Sequence, residues 1–83
     1  MRPIVFELFA NLERLAGTRE CRVDVPDDVT TVGDALARLA LARPELAGSL
    51  ERCACVSGDT IVRRAEALPG DGRIALLPPV AGG

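Results

Sequence analysis

The sequence predicts an α+β domain: a mixed sheet of about five strands packed on one main helix, ending in an extended Gly-Gly tail. Three observations carry this expectation. Apolar residues alternate over residues 3–9, 20–25 and 73–77, the two-residue period of half-buried strands. Residues 31–43 alone carry a long apolar stripe at helical spacing. The chain then closes with Leu77-Pro78-Pro79-Val80-Ala81-Gly82-Gly83, a stretch without a charged side chain.

Each element can be justified in turn. In the first strand Ile4, Phe6 and Leu8 share one face; Val5, Glu7 and Phe9 share the other, leaving Phe9 exposed at its end. Residues 11–17 read as a short helical turn, with Asn11 as cap and Gly17 as stop. Cys21, Val23 and Val25 face inward on a second strand, antiparallel to the first, and Pro26-Asp27-Asp28 turns the chain. Thr31, with an acid at Asp34, marks a helix start resembling a capping box. The stripe runs through Val32, Leu36, Leu39, Ala40 and Arg43, and Pro44 stops it. Residues 45–50 suit a further helical turn.

Residues 52–56 form the third strand candidate, Ser57-Gly58-Asp59 a turn, and Thr60-Ile61-Val62 a fourth strand. Residues 63–68 fit either a loop or a helical turn. Pro69-Gly70-Asp71-Gly72 is a turn, and residues 73–77 are the last strand, with Ile74 and Leu76 inward. The long helix permits a crossover that sets the first and last strands side by side in parallel. The tail would then leave a central, well-anchored strand. The expected division is a domain of residues 1–77 and a protruding tail of residues 78–83.

Composition narrows the function classes. Eighty-three residues can bury one core, and with 48% hydrophobic residues but only two aromatics it is built from Leu, Val, Ile and Ala. A net charge of −2 with interspersed signs marks no nucleic-acid or membrane surface. No apolar run is long enough to span a bilayer. Three cysteines, an odd number, with no signal peptide lead us to expect free thiols and a cytoplasmic location. On a strand, Cys53 and Cys55 would point to one face; no metal site is expected from three cysteines without histidine. All ten basic residues are arginine, so no side-chain amine can accept an isopeptide bond. Without His, a phosphate-binding glycine loop or an acid–base pair, independent catalysis is not expected.

The tail is where chemistry points. Pro78 and Pro79 favour an extended path, which at roughly 3.1 Å per residue would project Gly83 on the order of 18 Å. Gly82 and Gly83 lack a Cβ, so they form the thinnest chain and leave the terminal carbonyl unhindered. A Gly-Gly ending also suits an inert flexible tail. The uncharged, proline-directed approach favours the terminus of Gly83 as the reactive group.

These stretches resemble a known family. Residues 8–17, Leu-Phe-Ala-Asn-Leu-Glu-Arg-Leu-Ala-Gly, are similar to the F-A-x-L-R-E-x-x-G opening of the small subunit of molybdopterin synthase, the MoaD branch of the MoaD/ThiS ubiquitin-like sulfur carriers. Thr31-Val32-Gly33-Asp34-Ala35-Leu36 resembles its T-V-x-D-L-L, and Val56-Ser57-Gly58-Asp59 its V-N-G-E. The ending resembles P-P-V-[ST]-G-G, the most specific piece; Ser57 and Leu77 depart from the usual Asn and aromatic residue.

The resemblance implies a β-grasp (ubiquitin-like) fold and a carrier role. An ATP-using, ubiquitin-activating-type adenylyltransferase would adenylate the Gly83 carboxylate, and a sulfur donor protein would convert it to a thiocarboxylate. Pro78, Pro79, Val80, Ala81 and Gly82 would enter the large subunit of molybdopterin synthase, where sulfur passes to a cyclic pyranopterin precursor. Neither a bound cofactor nor a metal is implied. A free α-carboxylate, with an ordinary pKa of about 3.3–3.7, is a poor electrophile until adenylated. A thiocarboxylate, ionised like a thiolate, is a strong nucleophile. Phe9, Ile61 and Leu77 are the expected partner surface, with core packing the other reading for Ile61; Arg63, Arg64 and Arg73 could pair with acidic partner groups. The alternatives are a carrier for thiamin or cysteine biosynthesis and a non-carrier interaction module.

Overall fold

The computed structural model describes residues 1–79. Its order is β1 (Arg2–Leu8), α1 (Asn11–Ala16), β2 (Glu20–Val25), α2 (Val32–Ala42), a 3-10 turn (Pro44–Leu46), α3 (Ala47–Leu50), β3 (Ala54–Ser57), β4 (Thr60–Val62) and β5 (Arg73–Leu77). The described strands form one sheet in the order β2-β1-β5-β3-β4. β1 pairs antiparallel with β2 and parallel with β5, as the crossover through α2 requires. β5 is thus flanked on both sides, by β1 and by β3.

The alternation seen in sequence sorts the strands onto two faces. Ile4, Phe6, Ile74 and Leu76 are fully buried against the helices, and Val32, Ala35 and Leu39 meet them from α2. Each large apolar side chain so placed contributes about 1.5–3 kcal/mol. Cys21, Cys53 and Cys55 belong to this core, and all three are free thiols.

The first amides of α2 are all spoken for. Val32 donates to the Glu66 carbonyl (3.0 Å), Gly33 to the Arg64 carbonyl (2.8 Å), and Asp34 to the Thr31 hydroxyl (3.2 Å). Residues 63–68 are therefore a loop whose carbonyls cap the helix. Gly33 keeps this approach close: a Cβ there would stand 3.1 Å from the Arg64 carbonyl oxygen, so the loop would have to give by a few tenths of an ångström.

Some local expectations shift. Asn11 is the first residue of α1 and not its cap; Ala10 occupies the cap position and makes no side-chain capping bond. The Leu12 amide closes a turn on the Phe9 carbonyl at 3.1 Å, with Ala10 at φ 54° and ψ −128°. Those angles match the first central position of a type II′ turn, usually glycine. β3 begins at Ala54, not residue 52, because Arg52 and Cys53 still donate backward to Ser49 and Leu50 and finish the preceding helical turn. Residues 57–60 form the expected two-residue hairpin, with Gly58 at φ 62°.

Candidate functional site

The site grows out of strand register. β1 and β5 run the same way with Leu8 opposite Leu76, so the residues that follow, Phe9 and Leu77, lie at the same end of the sheet. Pro78 and Pro79 continue from Leu77 at that end. On β3, Ala54 stands opposite Leu77 and Val56 opposite Ala75; on β4, Ile61 stands opposite Val56. Cys55 points into the core, so its neighbours Ala54 and Val56 point to the helix-free face. The result is a continuous apolar patch of Ala75, Val56, Ile61, Leu77 and Ala54, with Phe9 beside its edge.

The exposures are high for such residues: Ile61 is 72%, Phe9 44% and Leu77 40% accessible. Phe9 and Leu77 lie where the tail begins, and Ile61 stands on the same open face of β4, level with Ala75. For Ile61 this removes the core reading. Phe9 also lines a cleft of about 380 Å³ with Glu7, Glu13, Arg19 and Glu20.

The other half of the open face is polar and internally neutralised. Glu7 and Glu20 are directly opposed on β1 and β2, a like-charge pair that would repel. Arg73 reaches across from β5 to both, 2.7 Å from Glu20 and 3.2 Å from Glu7. Hydrogen bonds to Glu20 and then Glu7 hold its guanidinium protonated more firmly than usual. Arg73 thus works within the domain, not as the partner-facing charge the sequence suggested. Arg64 is likewise engaged, donating to the carbonyls of Leu50 and Cys53. Arg63 is exposed.

Pro78 is half-buried and Pro79 exposed, which places the tail's root at the rim of the apolar patch. The expected reactive and inserting residues Val80, Ala81, Gly82 and Gly83 lie outside the described residues. Among the described residues, no group of three or more His, Cys, Asp or Glu side chains is placed to hold a metal ion, and no helix is long and apolar enough to cross a membrane. Sequence reasoning missed Ala54, Val56 and Ala75 as patch residues; the outward parity of Ala75 was visible, but what it meets was not.

Comparison with known proteins adds four findings. A family model described as the ThiS family matches residues 6–83. Small archaeal modifier protein 1 of Haloferax volcanii is 36% identical over 86 residues, covering 94% of this chain and 98% of that protein. A crystal structure of that protein superposes with a TM-score of 0.83 at 35% identity, over 98% of this chain and 99% of that one. A chain in the complex of subunits 1 and 2 of the molybdopterin-converting factor from Helicobacter pylori shares the fold, with a TM-score of 0.65 at 20% identity, over 98% and 99% of the two chains.

Proposed function

This chain belongs to the ThiS family of ubiquitin-like sulfur carriers, and we propose that within it the Gly83 carboxylate is the working group, adenylated by a partner and converted to a thiocarboxylate. Residues 1–77 then serve as the holder and residues 78–83 as the carrier tail. The observation that carries this reading is the placement of Pro78 and Pro79 directly after a strand flanked on both sides, at the rim of an exposed apolar patch. A reactive end is useful only when its root is fixed and a docking surface lies beside it. Phe9, Ile61 and Leu77 are the docking residues in this reading, and the terminal glycines, lacking a Cβ, pass into a narrow partner site.

The receiving reaction in this reading is sulfur insertion into a cyclic pyranopterin precursor within molybdopterin synthase. The Pro78-Pro79-Val80-Ala81-Gly82-Gly83 ending supports it, as does the fold shared with a chain of the Helicobacter pylori converting-factor complex. The partners are then the synthase large subunit, an ATP-dependent adenylyltransferase and a sulfur donor protein. A second reading is favoured by the likeness to a small archaeal modifier protein: the same activated terminus is an acyl donor to an amine of another protein.

Intact-mass measurement after incubation with ATP, an activating enzyme and a sulfur donor tests the carrier step. The chain should gain the mass of one oxygen-to-sulfur exchange at Gly83. A chain lacking Gly83 should fold normally and gain nothing, and normal sulfur transfer by it would overturn the reading. Adding the large subunit with the precursor, or a protein extract, separates the two destinations: sulfur leaves the tail in one, and an amide-linked conjugate forms in the other.

A further inference from the structure

We propose that the cleft beside Phe9 receives a basic side chain, an arginine by preference, from the protein that covers the apolar patch, and that Glu13 is the residue that demands it. The inference rests on the reading of Phe9 and Leu77 as docking residues and adds to it the charge their partner must carry.

Strand parity and one tight turn build the cleft. Glu7 and Phe9 share the open face of β1, and Glu20 stands opposite Glu7 on β2. The chain turns at Ala10, and Glu13 of α1 lines the same cleft as Glu7, Phe9, Arg19 and Glu20. Arg14, the next residue, is exposed and is not part of the lining. The F-A-x-L-R-E pattern that residues 9–14 resemble has these two charges in the other order. The acid in the cleft is therefore this chain's own feature.

Its charges do not cancel. Three carboxylates line the cleft, those of Glu7, Glu13 and Glu20, against the guanidinium of Arg19. Arg73 bridges Glu7 and Glu20 from β5, so Glu13 stands outside that network. Among the described residues Glu13 has one ion-pair partner, Arg19, at 3.7 Å, and the Arg19 side chain is 86% open to water. So loose a surface pair holds little energy, and water solvates the Glu13 carboxylate instead. A partner seated over the cleft removes that water. It must bring a cation of its own, because burying an unpaired carboxylate in an interface is strongly unfavourable. A partner with an acid at this place is rejected by the same charge.

Arginine fits both walls at once. Its planar guanidinium stacks on an aromatic face while its edge donates to a carboxylate, which the compact ammonium of lysine does less well. The chain has two aromatic residues, and with Phe6 buried, Phe9 is the ring it shows to a partner. The cleft also lies within one footprint of the apolar patch. β1 alone separates β5 from β2, so Leu77 and Glu20 sit on strands about 10 Å apart. A protein partner covers roughly 800 Å² of surface, enough to span both.

The test exchanges the two side chains of α1. Glu13→Arg/Arg14→Glu keeps the net charge at −2 and alters only which charge lines the cleft. Titrated against the large subunit of molybdopterin synthase, the partner proposed above, the exchange should raise Kd on the order of tenfold and remove much of its salt dependence. Glu13→Gln, which keeps the shape and loses the charge, should raise Kd roughly threefold or more at low salt, and it stands in if the exchange does not fold. Wild-type affinity in both variants would overturn the proposal. Where the wild type itself does not bind that subunit, the pathway reading falls, and two blocked peptides decide the cleft by amide NMR of the full chain. Acetyl-Leu-Arg-Leu-amide at millimolar concentration should move the resonances of Phe9, Glu13 and Glu20, acetyl-Leu-Glu-Leu-amide should not, and the exchange should reverse that preference. Equal responses to the two peptides, or none to either, would overturn it.

Discussion

Ile61 and Ile74 are both isoleucines in strands of one sheet, and truncating each should give opposite signatures. Ile74 is fully buried, so Ile74→Ala removes its transfer free energy and leaves a cavity, costing about 2–5 kcal/mol. Ile61 is 72% accessible, so it keeps only a small part of the roughly 1.5–3 kcal/mol that full burial contributes. Ile61→Ala should therefore cost the free domain less than about 1 kcal/mol. The remainder becomes available when a partner covers the patch: about 1–2 kcal/mol, or roughly 5- to 30-fold in Kd. Urea denaturation gives the first quantity, and calorimetric titration with the proposed partner, the large subunit of molybdopterin synthase, gives the second. Equal destabilisation by the two variants would show that Ile61 is packed within the domain. A Kd unchanged within about twofold would remove β4 from the docking surface.

Three further outcomes follow from the same geometry. Arg73→Met should lower the urea midpoint, because it leaves Glu7 and Glu20 opposed, and added salt should narrow the difference by screening that repulsion. Ala10→Gly should raise stability by about 1 kcal/mol, since relief of a positive φ worth roughly 1–3 kcal/mol outweighs the 0.4–1 kcal/mol of added unfolded-state entropy; a lower midpoint would refute the II′ turn. Burial raises the Cys53 and Cys55 thiols, so as pH climbs past about 8.5 the unfolded chain loses these protons before the native one does. Their stabilisation is complete below that pH and declines above it, by up to about 1.4 kcal/mol per pH unit for each thiol. With no Lys or Tyr titrating in that range, urea midpoints from pH 7 to 10 should fall in the wild type and flatten in Cys53→Ala/Cys55→Ala.

Much of the fold was legible because each strand had to present one apolar face and the helix one apolar stripe. Alternation in residues 3–9 placed Ile4, Phe6 and Leu8 correctly, and Thr31 with Asp34 marked the start of α2. Two turn signals, Gly58-Asp59 and residues 69–72, also fell where glycine takes positive φ at Gly58 and Gly72. The errors lay where local signals compete. Asn11 is a good capping residue, but the chain had already closed a tight turn at Ala10, and the helix begins at Asn11 itself, one residue earlier than a cap at Asn11 would give.

What the sequence determined by itself was the set of faces on the strands and on α2, since each depends on a period of two or 3.6 residues within one segment, while the family was legible in motifs, above all the Pro-Pro-Val-Ala-Gly-Gly ending. Only the tertiary structure decided which faces meet. Register across β1, β5, β3 and β4 is a long-range property, fixed by the packing of one common core. That register brings Phe9 and Leu77 to the root of the tail with Ile61 on the same open face, and makes Arg73 the bridge between two opposed glutamates; the packing of that core also gives the carbonyls of residues 64 and 66 to the start of α2.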